Sequence, residues 1–291
     1  MKTVKVGPVG TRVDGVALSK IGNKQADDLR SLLYQEKVLI FPEQKLTVPH
    51  FLTFAKLLGT PIQFVDEEYH HPKHPDVFVV SNIVKNGRPF GMDKVGHYWH
   101  SDSSFLAHPQ PVTMLHAQMV PKTGGETAFI DMGSVYEALD SKLKTKIEGK
   151  QAIHEGQWKY IISKKDLGLS IQEILERDRK EVPPVSHPMV VRHPMTKKKA
   201  LYVNEGFTTS IVSMPKDESS SILTQLFSAI KNAESLYRHL WKVGDLVIWD
   251  NRSVVHRAYP PASTEKRMMF RIGIKDGPFF PVRSSDGTNR H

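Results

Sequence analysis

The sequence predicts a mainly β fold, an antiparallel barrel or jelly roll, with helices inserted into it. Two observations predict it. Short β-branched and aromatic runs, separated by turn residues, recur between Val77 and Ile274. Amphipathic helical intervals fall between those runs, and no repeat, low-complexity tract or Ser/Gly/Pro-rich linker divides the chain. One domain over residues 1–291 is therefore expected.

The elements follow in order. Leu29, Leu32 and Leu33 recur on one face of a helix expected over Asn23–Glu36. Lys37–Phe41 reads as a buried strand stopped by Pro42, and Val48–Leu58 as a helix ended by Gly59. Strands are expected at Val77–Val80, Val112–Met119 and Thr127–Asp131. A helix over Ser134–Glu148 has serine as its start signal, Gly149 as its stop, and Val135, Leu139, Leu143 and Ile147 as its apolar side. Two more helices are expected over Ser170–Lys180 and Asp217–Ile230, then strands at Asp245–Trp249 and Met268–Ile274.

Composition removes several classes. The 291 residues are 39% hydrophobic and 24% charged, enough apolar material for a sizeable core, which excludes collagen-like, disordered and coiled-coil chains. No apolar stretch approaches the ~18 residues of a membrane span, and the N-terminus has no signal-peptide core, so a cytoplasmic protein with no membrane partner is expected. Zero cysteines exclude disulfides, thiolate metal sites and cysteine nucleophiles. The net charge is +9, but the basic groups Lys164-Lys165, Arg177–Lys180, Lys197–Lys199 and Arg252 form no stripe, so no nucleic-acid partner is expected.

The chemistry concentrates around His100 and Asp102. Residues two apart on a strand share a face, so one imidazole and one carboxylate converge. A second pair of this kind, His74-Pro75-Asp76, reads as a surface loop because of its proline and flanking turn residues. His256 follows an apolar strand and the polar turn Asp250-Asn251-Arg252. Two histidines and one carboxylate form the facial set that leaves positions of an octahedral Fe(II) open. For His256 alone, a core histidine bonded to a backbone carbonyl is the competing reading. For the set, the competitor is a zinc hydrolase with one bound water. Arg267 and Arg271, four apart in a strand-like stretch, can face one cavity and grip a carboxylate or sulfonate bidentately, or line a solvated strand face.

The ordered motifs Trp99-His-x-Asp-x-x-Phe105, Gly124-Gly-Glu-Thr127, Asn204-Glu-Gly-Phe-Thr208 and Trp249-Asp-Asn-Arg-x-x-x-His256 carry a resemblance. With them the chain resembles, over nearly its whole length, the taurine dioxygenase (TauD/TfdA) family of Fe(II)- and 2-oxoglutarate-dependent oxygenases. The resemblance implies a double-stranded β-helix and iron at His100, Asp102 and His256. It implies 2-oxoglutarate, used with O2, held at Thr127 and Arg267, with Arg271 on either that cosubstrate or the substrate anion. Tyr69, His70 and Ser103 join Arg271 as candidate substrate contacts. The implied reaction hydroxylates a small anionic organic substrate and releases succinate and CO2, in a homodimer or homotetramer.

The substrate divides the family's branches. Tyr69 matches the tyrosine of taurine recognition, but Asp66 falls where a histidine is wanted, which disfavours taurine. Tyr69-His-His-Pro72 and the run Gly244–Ala258 also resemble oxidases that turn N-carboxyalkyl amino acids into isonitriles, although their substrate lysine has no convincing match in Trp158–Lys164. Phenoxyalkanoate oxygenases share the stretch Trp99–Phe105. Asn204, Glu205 and Thr208 either brace backbone or touch substrate, Trp99 and Trp249 anchor the core, and Lys197–Lys199 forms a solvated turn. The histidines outside the iron set are expected mostly on the surface or in loops.

Overall fold

Four consecutive apolar residues, Val38–Phe41, show how the core is layered. Strand side chains alternate between faces. Val38 and Ile40 pack inward with Val247, Trp249, Phe129 and Met269, while Leu39 and Phe41 face outward into a second cluster. That outer cluster is closed by Leu29 and Leu33 of a helix at Asn23–Glu36 and by Phe51, Phe54 and Leu58 of a helix at Val48–Leu58. A strand buried on both faces reads as an unbroken apolar run rather than an alternating one. Each such side chain contributes about 1.5–3 kcal/mol by leaving water.

The computed structural model describes residues 1–156, 166–262 and 264–281. Its large sheet runs, by residue number, 2–5, 11–14, 38–41, 246–250, 112–119, 268–275, 74–81 and 70–71, with 60–62 also pairing onto 268–275. All its pairings are antiparallel except that between Thr11–Asp14 and Val38–Phe41. A three-stranded sheet of Leu236–His239, Thr127–Asp131 and Val254–Ala258 supplies the opposite face through Phe129 and Val254. Its other side, at Ala128, Ile130 and Val255, packs on helices Met132–Ala138, Ser141–Ile147 and Lys216–Lys231. Two facing sheets, each backed by helices, make the expected jelly roll.

Several elements depart from the expected ones, for local reasons. The helix expected at Ser134–Glu148 is two helices. The Asp131 carboxylate caps the first by accepting from Gly133 N–H, and Asp140 caps the second by accepting from Leu143 N–H. Leu139 between them is extended, so the apolar rhythm crosses a real break. His74-Pro75-Asp76 is not a loop but the start of strand His74–Ser81, where Pro75 falls outside the paired registers and its missing N–H costs no ladder bond. Lys199 belongs to strand Lys199–Leu201 and pairs with Glu148, so only the residues before it form the solvated turn. Arg252 is not part of a dispersed basic surface: it is buried between Asp250 and Asp276. Trp99 and Trp249 are buried as expected. Five histidines beyond the candidate ligands, His116, His154, His187, His193 and His239, are buried as well, against the expectation of surface positions. Trp158–Lys164 and Lys164-Lys165 lie outside the described residues, and no helix among those described is long and apolar enough to cross a membrane.

Candidate active site

His100 and His256 form a single antiparallel bridge between the turn region and strand Val254–Ala258. Directly opposed residues of such a pair lie close together, and here the two imidazole centroids are 4.1 Å apart. Asp102 is not on a strand. It sits in a turn, held by its own N–H on Asn251 Oδ1 at 3.3 Å and by the neighbouring Ser101 hydroxyl on the Asn251 carbonyl at 2.8 Å. Asp102 Oδ1 then stands 3.6 Å from His100 Nε2 and 3.8 Å from His256 Nε2. All three groups are buried, and their ligand atoms lie within 4.8 Å of one another.

Proton placement suits a metal. A carbonyl only accepts, so His100 Nδ1 carries the proton donated to Tyr98 C=O at 2.9 Å, which leaves the Nε2 lone pair facing inward. Burial and the neighbouring His100 ring hold His256 well below the usual histidine range, so it stays neutral. Burial pushes the Asp102 carboxyl upward, but Arg271, His256 and His100 outweigh it and hold the group well below the usual carboxylate range. Two neutral imidazoles and an ionised carboxylate are what a divalent metal requires. His256 Nδ1 is buried without a hydrogen-bond partner among the described residues, so the competing reading of a core histidine on a backbone carbonyl does not hold.

The segment Asn204–Thr208 braces these candidate ligands. Glu205 Oε1 accepts from Trp99 N–H, Gly206 N–H donates to Trp99 C=O, and Asn204 Nδ2 donates to Ser104 Oγ at 3.1 Å. Gly206 allows the close approach: a Cβ there would meet the Tyr98 ring at 2.6 Å and His100 Cβ at 3.2 Å. Ser103, in the turn after Asp102, takes a left-handed φ of 56° and accepts from Leu106 N–H through its carbonyl. Beneath that turn lie His154, whose Nδ1 is 3.2 Å from Ser104 Oγ, and His187, which donates to the Leu106 carbonyl. Burial, and then the adjacent His187, lowers His154 to about 3.

The two arginines have different surroundings. Arg271 Nη2 lies 2.9 Å from Asp102 Oδ1, and its guanidinium is 5.7 Å from the centres of both Phe64 and Phe78. Arg267 instead lines a pocket with Ser81, Asn82, Asp93, His97 and Tyr259. No carboxylate is within ion-pair distance of Arg267 among the described residues, and its buried Nε has no hydrogen-bond partner. Burial lowers its guanidinium to about 10, which still leaves it charged at neutral pH. Thr127 pairs with Ala258, which lines the same pocket, while Phe129 pairs with His256, so Thr127 shares the sheet face of His256. Trp241 Nε1 can only donate, so the Thr127 hydroxyl accepts from it at 3.1 Å and keeps its own proton for another acceptor.

The early loop reaches the site through rings. Tyr69 meets Phe78 edge-on and Phe64 packs on Phe78 at 4.3 Å. His70 is committed elsewhere, its Nε2 donating to the Phe64 carbonyl at 2.7 Å. Sequence reasoning missed three residues. Asn82 clamps Arg267 by accepting from its N–H at 2.9 Å, His97 lines the Arg267 pocket, and Thr113 donates to Asp102 Oδ2 at 2.6 Å. Asn82 stands in the recognisable pair Ser81-Asn82, but nothing near Thr113 in sequence marks it.

Comparison with known proteins agrees with this geometry. The family model "Taurine catabolism dioxygenase TauD, TfdA family" matches residues 2–272. The alpha-ketoglutarate-dependent 2,4-dichlorophenoxyacetate dioxygenase of Cupriavidus pinatubonensis is 32% identical over 248 residues, 81% of this chain and 84% of that protein. The crystal structure of AAD-2 in complex with Mn(II) and N-oxalylglycine superposes with a TM-score of 0.80 at 29% identity, covering 96% of this chain and 100% of that one. A taurine dioxygenase from Burkholderia xenovorans gives a TM-score of 0.74 at 26% identity, covering 91% and 85%. The chain belongs to the TauD/TfdA family and is a 2-oxoglutarate-dependent dioxygenase that uses Fe(II) and O2.

Proposed function

We propose that His100, Asp102 and His256 hold the Fe(II), and that Arg267 and the Thr127 hydroxyl hold the distal carboxylate of 2-oxoglutarate. The observation that carries this reading is Arg267. A buried, charged guanidinium with no carboxylate within ion-pair distance among the described residues calls for an anion, and its fork matches two carboxylate oxygens. Bound iron would activate O2 as 2-oxoglutarate is decarboxylated to succinate and CO2. The protein orients the ligands: Tyr98 fixes the His100 tautomer, and the Asn204–Thr208 segment fixes the turn that carries Asp102. Asn82 holds the backbone of Arg267 in place.

The substrate is a small organic anion, and we place an aryl carboxylate of the phenoxyalkanoate kind ahead of taurine. Arg271 offers a cation flanked by Phe64 and Phe78, with Tyr69 against the same ring, which suits an aromatic group joined to a carboxylate. The acidic Asp66 in the same loop weighs against a small sulfonate. Relatives of about equal identity are named for 2,4-dichlorophenoxyacetate and for sulfonates, so the order rests on the rings around Arg271. We read the chain as a single cytoplasmic catalytic domain. The test is succinate formation with Fe(II), 2-oxoglutarate and O2 across phenoxyalkanoates, sulfonates and N-carboxyalkyl amino acids. Phenoxyalkanoates should stimulate turnover most, and stronger stimulation by taurine would reverse the ranking.

A further inference from the structure

We infer that Thr113 is a positioning residue that dictates which oxygen of Asp102 faces the metal. The inference rests on the reading of Asp102 as a metal ligand. Thr113 lies fully buried in strand Val112–Met119. Its Oγ1 meets three groups: Asp102 Oδ2 at 2.6 Å, Asn251 Nδ2 at 2.9 Å, and Gln110 Nε2.

The direction of each bond follows from simple inventory. A hydroxyl has one proton and two lone pairs, and an ionised carboxylate only accepts. The one proton of Thr113 therefore goes to Asp102 Oδ2, and both amides must present their NH2 groups. Asn251 is independently oriented that way, because its Oδ1 accepts from two groups that can only donate, Asp102 N–H and Trp249 Nε1 at 3.0 Å. With both lone pairs filled by N–H donors, the Thr113 proton has one destination.

The consequence falls on the other oxygen. Asp102 Oδ2 is tied back to the strand, and Oδ1 is the atom that faces His100 Nε2, His256 Nε2 and Arg271. The carboxylate would thus offer a single oxygen, Oδ1, to a bound metal. Loss of the hydroxyl would free the carboxylate to rotate and present both oxygens. Gly273 completes the device from the opposite strand. It pairs directly with Thr113, and a Cβ there would overlap the Gln110 amide, so only glycine leaves room for that amide to reach Thr113.

The test is Mn(II) affinity of the full chain, read from the electron paramagnetic resonance of free Mn(II), with thermal unfolding measured in parallel. Thr113→Val keeps the shape without the hydroxyl and should weaken Mn(II) binding about 10- to 100-fold, the usual effect of losing a ligand's orienting bond. Thr113→Ser restores the donor and should remain within about threefold of wild type. Should the valine variant not yield folded protein, Thr113→Ala carries the same expectation. Wild-type affinity in Thr113→Val, or equal weakening in Thr113→Ser and Thr113→Val, overturns the role of Thr113 and leaves the metal site standing. Failure of the wild-type chain to bind Mn(II) overturns both readings.

Discussion

His100 and His256 exchange both backbone hydrogen bonds, His100 N–H to His256 C=O at 3.0 Å and His256 N–H to His100 C=O at 2.8 Å. The two imidazoles are therefore brought together by one backbone bridge between the turn region and strand Val254–Ala258. Their spacing is set by two backbone hydrogen bonds, whereas Asp102 depends on side-chain bonds to Asn251 and Thr113. Sites carried on regular elements hold geometry better than sites on loops.

Removal of either imidazole should abolish the metal site without unfolding the chain. His100→Ala and His256→Ala are expected to lose at least about 100-fold in Mn(II) affinity, beyond the range seen for orienting partners. Equilibrium dialysis checks this, with circular dichroism confirming the fold. Retained affinity in both variants would remove them from the ligand set.

Arg267→Leu should raise the KM for 2-oxoglutarate by about 100-fold or more, because a buried carboxylate left without its charge partner costs about 3–5 kcal/mol. The maximal rate at saturating 2-oxoglutarate should fall less than kcat/KM does. Titration of 2-oxoglutarate in a succinate assay gives the answer, and an unchanged KM would assign the anion to another cation.

Gly206→Ala should disturb the site from a distance. The new methyl would press on the Tyr98 ring and His100 Cβ, and overpacking of this kind costs about 1–3 kcal/mol. Urea unfolding should show that loss, accompanied by weaker metal binding. Adding Tyr98→Leu, which removes most of the obstructing ring, should recover part of both.

Much of this fold is legible in the chain because its strands are buried on both faces. Val38–Phe41 is apolar throughout, Val112–Met119 is mostly apolar with Thr113, His116 and Gln118 interspersed, and both stand where their composition puts them. The helix at Ile171–Glu181 likewise starts at Ser170, whose capping box with Glu173 is a local signal. Legibility ends where tertiary contacts decide. The His100-x-Asp102 spacing pointed to two groups that do converge, but not by the strand alternation it invoked, since Asp102 sits in a turn. The spacing of Arg267 and Arg271 gave no hint that one meets Asp102 while the other lines a separate pocket wall. His154 and His187 look like any loop histidines in sequence, yet they support the turn after Asp102 through Ser104 and the Leu106 carbonyl.

Those buried histidines make the protein acid-sensitive. His154 titrates near 3 in the folded chain and near its ordinary ~6.5 when unfolded. Below about pH 6.5 the unfolded state binds a proton that the folded state refuses, so stability falls as pH falls, by about 1.4 kcal/mol per unit from this group until pH nears 3. His187 and His116, also lowered mainly by burial, add with the same sign. Urea unfolding at pH 7.5 and pH 5.5 should show a loss that shrinks by about 1 kcal/mol in His154→Gln. An equal loss in both proteins would move the acid sensitivity to other groups.

The central claim is that one anion-binding pocket and one metal centre together hold 2-oxoglutarate. Calorimetric titration of 2-oxoglutarate into the Mn(II)-loaded chain under anaerobic conditions tests it most directly. The account predicts one molecule bound per chain, with binding severely weakened both by omitting the metal and by Arg267→Leu. Equal binding with and without metal, or an Arg267→Leu protein that binds like wild type, would contradict it.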